Sequence, residues 1–168
     1  MGEYQVPGVD EDWPAIEAAR TIALNRLDRA PATRSQVREA MLKRDVEADV
    51  ADRVLDRLEA VGLIDDAAYA AALVRTRHRE RQLARRAIAH ELAAKGITGT
   101  TAEAALAQID AEDELEAARA VVAKKLRLAS MARVPRATRQ RRLAGVLGRK
   151  GFDAEITYRV IREALSDS

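Results

Sequence analysis

The side chains that could do chemistry are few, and their spacing does not assemble a catalyst. His90-Glu91 opens like a His-Glu-x-x-His zinc motif, in which two histidines one helical turn apart share a metal. The position that would need the second histidine is Ala94. The other histidine, His78, lies twelve residues away and has no third ligand. The chain has no cysteine, which excludes thiol catalysis, Cys-ligated zinc and a disulfide framework, and fits a reducing cytoplasm. Gly145-Val146-Leu147-Gly148-Arg149-Lys150-Gly151 is glycine-rich and basic, yet it lacks the spacing and the Ser/Thr of a phosphate loop and follows a helical pattern, not a strand. Gly151 reads instead as a left-handed helix terminator. The carboxylates of residues 98–118 would need apolar burial to split their pKa values into an acid and a base; a solvated helix face accounts for them. No catalytic residue, metal or cofactor is expected.

Charge is what remains. The net charge of +2 hides segregation along the chain. Residues 20–44 carry +5, 45–66 carry −6, 74–95 carry +5, 98–118 carry −6 and 119–152 carry +11, the last block without a single carboxylate. Basic surfaces of this kind attract phosphates and acidic proteins through their summed potential. In the first two basic blocks, ion pairs within and between units explain the pattern equally well. In 119–152 mutual repulsion calls for an anionic partner. Arg136, Arg139, Arg141, Arg142, Arg149 and Lys150 are expected to form an exposed anion-binding face, with helical spacing gathering 139, 142 and 149 and turning 141 elsewhere. Aromatic residues make up only 3% of the chain. Base stacking therefore has little support, and Phe152, Tyr69 and Tyr158 read as packing residues.

The elements that must carry these charges come from an internal repeat. Met41-x-x-Arg44-Asp45-Val46, Leu92-x-x-Lys95-Gly96-Ile97 and Leu147-x-x-Lys150-Gly151-Phe152 share one pattern, with anchors 51 and 55 residues apart. Val37, Ile88 and Leu143 align in the same register, as do Leu55, Leu106 and Ile161. A period near 50 marks three copies of one supersecondary unit. The composition is 48% hydrophobic, built from Ala, Leu, Val and Ile without period-two runs, so the fold is all-α. Nine helices are expected, in three tandem three-helix repeats stacked into an elongated curved array.

The predicted boundaries are an acidic, disordered N-terminal tail over 1–14 and repeats over 15–64, 65–111 and 112–168. Thr33 to Gln36 and Thr100 to Glu103 read as capping boxes. Asp65 or Asp66 opens the second unit, the third starts near Asp113, and Asp153 caps the last helix. Residues 127–138, with Pro135, read as a loop. Between Ala67 and Lys95 either one continuous helix or two with a break near 81–83 fits. No apolar run approaches the roughly 18 residues of a membrane span, and residues 1–12 lack the basic and apolar regions of a signal peptide.

With the repeat in place, Leu58-x-x-Val61-Gly62-Leu63-Ile64-Asp65-Asp66-x-x-Tyr69-Ala70 resembles the junction between the first two units of RecX proteins, regulators of the RecA recombinase. The stretch from Arg85 to Ile97 is similar to their second-unit signature, and Leu143-x-x-x-Leu147-x-x-Lys150-Gly151-Phe152 to the third. Two positions depart from the pattern. Arg44-Asp45 stands where Lys/Arg-Gly is usual, and Leu83-Ala84 replaces a Gly before the second basic cluster, as in actinobacterial relatives. The resemblance implies a non-enzymatic cytoplasmic regulator. It would bind the RecA–single-stranded DNA filament and restrain ATP hydrolysis, strand exchange and co-protease activity. The candidate contacts to RecA, or to single-stranded DNA through its phosphates, are Arg75, Arg77, Arg79, Arg85, Arg86, Lys95, Arg136, Arg139, Arg142, Arg149 and Lys150. A monomer with no membrane partner is expected. The alternative is a helical nucleic-acid-binding module that acts without RecA.

Overall fold

The computed structural model describes residues 12–166, and every element in that span is a helix. Ten helices are present among the described residues, one more than the sequence predicts. The chain divides into two compact units, Met1–Tyr69 and Ala70–Ser168.

The first unit contains α1 (Trp13–Arg29), α2 (Arg34–Leu42), α3 (Ala48–Ala60) and the opening turn of α4 (Asp66–Arg81). Pro14 sits in the first turn of α1, where its missing N–H costs nothing. Thr33 and Gln36 close the expected capping box at α2, and Thr33 is fully buried doing so. Along α3 the residues Val50, Val54, Leu55 and Leu58 turn inward, packing on Ile16, Ala19 and Ala23 of α1 and Val37 and Met41 of α2. Asp65 caps α4 by accepting from the Ala68 N–H at 2.9 Å. Its neighbour Asp66 reaches back instead and accepts from the Arg34 N–H at 2.9 Å. Of the expected tail over 1–14, residues 1–11 lie outside the described span and 13–14 already belong to α1.

The second unit holds the rest of α4, then α5 (Arg85–Ala94), α6 (Gly99–Leu106), α7 (Ala111–Leu126), α8 (Ala129–Ala132), α9 (Arg136–Arg149) and α10 (Ala154–Ser166). The two alternatives over 67–95 resolve as two helices. Gln82 takes a left-handed φ of 47°, and the Leu83 N–H returns to the Arg77 carbonyl at 3.2 Å. His78 Nδ1 donates to the Leu83 carbonyl at 3.0 Å, fixing the turn and the ring's tautomer. The second capping box does not form where the sequence places it. The chain enters α6 through Gly99 at φ 58°, so Thr98 is the last residue outside and Thr100 and Thr101 are already helical. The helix α7 starts at Ala111, slightly before the expected Asp113. Asp110 and Asp113 make a reciprocal box there instead. Residues 127–138 are not one loop: α8 lies inside them and drops Met131, 1% exposed, into the core of Leu115, Val122, Leu143, Leu147 and Phe152.

The repeat is written most plainly in its turns. Asp45, Gly96 and Gly151 all adopt left-handed backbone, with φ of 61°, 80° and 90°. The N–H groups of Val46, Ile97 and Phe152 return to the carbonyls of Met41, Leu92 and Leu147 at 3.3, 2.9 and 3.2 Å. These are Schellman ends. Asp45 therefore ends its helix as the glycines do, despite its departure from the family pattern.

Gly151 has a second duty. A Cβ there would lie 2.7 Å from Ala87 Cβ and 2.8 Å from Ala87 N. The turn packs against the start of α5, where the Ala84 N–H donates to the Lys150 carbonyl at 3.0 Å.

Candidate functional site

Cationic side chains with no carboxylate among them gather where α7, α8 and α9 meet. The helix α7 carries Glu112, Asp113 and Glu114 in its first turn and Lys124 and Lys125 in its last, each sign at the dipole end that favours it. Pro135 then starts α9, whose residues 141, 142, 145 and 149 recur on one side. Together they build a hollow of about 320 Å³ lined by Lys125, Arg141, Arg142 and Arg149 over a floor of Met131 and Val146. A smaller hollow of about 210 Å³ adjoins it through the shared Lys125 and Val146, and adds Lys124, Leu128 and Lys150. No carboxylate lines either hollow. Leu128 is 45% exposed at the rim, so the groove offers an apolar contact among cations.

Local bonds hold the groove in shape. Arg142 Nη1 donates to the Ser130 carbonyl at 3.0 Å, tying α9 to α8. Gly145 leaves room for Arg149, since a Cβ at 145 would stand 3.3 Å from its Nη1. The Lys150 ammonium donates to the Arg81 carbonyl at the end of α4. Burial, then the neighbouring Lys124 and Arg81, pushes the Lys150 pKa below its ordinary value. Lys150 is therefore part structural, part rim.

The expected face of α9 is re-sorted. Arg141, which the spacing turns away, joins Arg142 and Arg149. Arg139 is half-buried: its Nη2 donates to the Val134 carbonyl at 3.3 Å and its Nε is buried without a partner. Arg136 is exposed on a different groove, between α9 and α10. Lys124 and Lys125 belong to the site and were not among the sequence candidates. Their signal was the carboxylate-free block 119–152, which helical spacing along α9 alone could not join to α7.

The second-repeat candidates scatter. Arg75 and Arg79 are exposed on α4. Arg77 is held by Glu91 of α5 through two hydrogen bonds of 2.7 and 2.6 Å. Arg85 and Arg86 open α5, with side chains exposed. The Arg85 N–H donates to Glu114 Oε1 at 2.8 Å, so a carboxylate from the third repeat caps α5, which has no side-chain cap of its own. Lys95 is half-buried near Glu91, whose carboxyl it helps to depress. Tyr158, expected to pack, is 63% exposed with the Arg162 guanidinium 5.6 Å from its ring centre.

Helical repeats carrying a cationic groove define a binding protein. Among the described residues, no group of three or more His, Cys, Asp or Glu is placed to hold a metal, and no helix is long and apolar enough to cross a membrane. Comparison with known proteins narrows the class. The profiles described as RecX first, second and third three-helix domain match residues 19–58, 65–106 and 112–161. The chain is 46% identical over 152 residues to "Regulatory protein RecX" of Streptomyces coelicolor, covering 90% of this chain and 80% of that protein. It is 43% identical over 147 residues to the protein of that name from Thermobifida fusca, covering 88% and 78%. The structure described as RecX from Lactobacillus salivarius superposes with a TM-score of 0.78 at 25% identity, covering 89% of this chain and 96% of that one. The chain belongs to the RecX family, whose members are regulatory proteins and not enzymes.

Proposed function

We propose that this protein binds the RecA–single-stranded DNA filament and lowers its activities: ATP hydrolysis, strand exchange and co-protease action. The observation that carries the reading is the groove of α7, α8 and α9, where Lys124, Lys125, Arg141, Arg142 and Arg149 converge with no carboxylate among the lining residues. Such a site takes an anion, either the DNA phosphates or an acidic surface of RecA. The exposed Arg75, Arg79, Arg85 and Arg86 add contacts from the second repeat. Repeats over 15–64, 65–111 and 112–168 let one molecule engage several filament subunits, and linked weak contacts reinforce one another. In this reading the protein works as a cytoplasmic monomer.

Co-sedimentation tests the proposal. The protein should pellet with RecA–single-stranded DNA filaments at concentrations where it leaves DNA alone in the supernatant. Equal binding to naked DNA, lost with salt, would replace the reading with a nucleic-acid-binding module that acts without RecA.

A further inference from the structure

The three repeats allow each helix pair to be compared with its own copies, and one pair in the third repeat has been rebuilt. In the first repeat the outer seam between α2 and α3 is bridged by charge. Arg34 reaches Asp56 at 2.8 Å and Glu59 at 2.7 Å, and Arg38 reaches Asp52 at 2.7 Å. In the register that aligns Leu55 with Ile161, the third repeat holds Gln140 and Ala144 in place of Arg34 and Arg38. It holds Tyr158, Arg162 and Leu165 in place of Asp52, Asp56 and Glu59. Every bridging partner is gone. The second repeat keeps Arg85, Glu103 and Asp110 at the corresponding positions but has Ala89 and Ala107 in place of Arg38 and Asp56, so only in the third are all five residues replaced.

What replaces the bridges is an open groove of about 350 Å³ between α9 and α10. Its floor is Ala144, Ile161 and Leu165, and its rim carries Arg136, Arg162 and the exposed Tyr158. No carboxylate lines it. Glu155, one turn before Tyr158, is in the first turn of α10 and outside the lining. Surface ion pairs contribute only about 0–1 kcal/mol each, so removing them costs the repeat little while exposing apolar surface. On α9 the lining residues 136, 140 and 144 span about 12 Å, and on α10 residues 154 to 165 span about 16 Å. That is the length of two to three helical turns.

We infer that the α9–α10 groove is a docking site for an amphipathic helix of a protein partner, apolar on one stripe and acidic on its flanks. The apolar stripe lies on Ala144, Ile161 and Leu165, as in other helix-in-groove contacts. The acidic flanks meet Arg136 and Arg162. Tyr158 supplies the large, half-rigid aromatic surface that anchors such interfaces. The site stands apart from the α7–α9 groove and does not depend on the regulatory reading.

The test uses the full chain and a fluorescent peptide of about 14 residues, with Leu at i, i+3, i+4 and i+7 and Glu on both flanks. A second peptide of equal helicity carries Lys for Glu. Anisotropy should show saturable binding of the acidic peptide and at least about tenfold weaker binding of the basic one. Ala144→Arg with Tyr158→Asp restores the Arg38–Asp52 bridge of the first repeat, and should weaken the acidic peptide at least about tenfold at unchanged melting temperature. Should that pair fold poorly, Arg136→Ala with Arg162→Ala, both exposed, should give the same direction of loss. The inference is overturned by equal binding of both peptides, by no binding of the acidic peptide at about 1 mM, or by binding that a folded variant leaves intact. A single-stranded oligonucleotide that displaces nothing supports it; one that binds through Tyr158 and Arg162 in place of the peptide overturns it.

Discussion

Arg77 and Glu91 lock α4 to α5 through a two-pronged pair, Nε to Oε2 at 2.7 Å and Nη2 to Oε1 at 2.6 Å. Both side chains are about three-quarters covered, at 21% and 27% exposure. The hydrogen bond from Arg77 holds the Glu91 carboxyl below its ordinary value of 4.5, against the opposing effect of burial. A depressed carboxylate contributes stability that is present above the unfolded value and lost as pH falls through the folded one. Urea denaturation should thus show the wild type losing stability below about pH 4.5, and Glu91→Gln losing less over that window. Parallel profiles for the two proteins would show that the pair is not linked to folding. At neutral pH Arg77→Ala should cost about 1–2 kcal/mol, and a filament-binding defect in that variant should follow its loss of stability.

The left-handed turns give a second set of expectations. Asp45 is held in a conformation that glycine adopts freely, so Asp45→Gly should raise stability by up to about 1 kcal/mol. Gly62 is also left-handed, with φ 75°, but a Cβ added there would meet no atom within 4 Å, so Gly62→Ala should cost only about 1 kcal/mol. Gly151→Ala adds the collision with Ala87 and should cost clearly more, about 3 kcal/mol. Equal losses at 62 and 151 in thermal melts would mean that the turn moves away from α5 at no cost.

Phe152 is 3% exposed in the core of the third repeat. Phe152→Ala should destabilise by about 3–5 kcal/mol, and a loss below about 1 kcal/mol would show that the core collapses around the gap.

In the cationic groove, Arg141→Ala, Arg142→Ala and Arg149→Ala combined should weaken binding to the filament at least about tenfold, with a melting temperature close to wild type. If DNA phosphates are the ligand, the dependence of log K on log salt should become shallower by about 2. Lys150→Ala should behave differently and lower stability as well, because its ammonium closes the end of α4. An unchanged affinity for the triple variant at moderate salt would reduce the groove to a solvated face.

The sequence reveals what local chemistry decides. Thr33 with Gln36, Asp153 and the left-handed Gly96 and Gly151 act within a turn of themselves, so the repeat and most helix ends follow from spacing alone. Gln82 gave no such signal. Its turn is held partly by Lys150, sixty-nine residues from the Arg81 carbonyl it meets. The short α8 escaped for a similar reason, whereas the Asp110–Asp113 box is local and lay in the sequence three residues before the expected start. Met131 is buried only because α7 and α9 leave it room, and Asp113 is bound to its own cap where the sequence suggested a starting residue. The site was half legible. Charge counting found the block 119–152, but a helical wheel of α9 cannot know that Val134 draws Arg139 inward or that Lys125 of α7 closes the hollow.

Steady-state ATP hydrolysis by the cognate RecA on single-stranded DNA, titrated with this protein, tests the central claim most directly. One array spanning several subunits should inhibit turnover at concentrations well below that of RecA subunits, and removing the third repeat from residue 112 onward should cost far more than a third of the potency. Turnover unaffected at equimolar protein, with none of it sedimenting with filaments, would contradict the account.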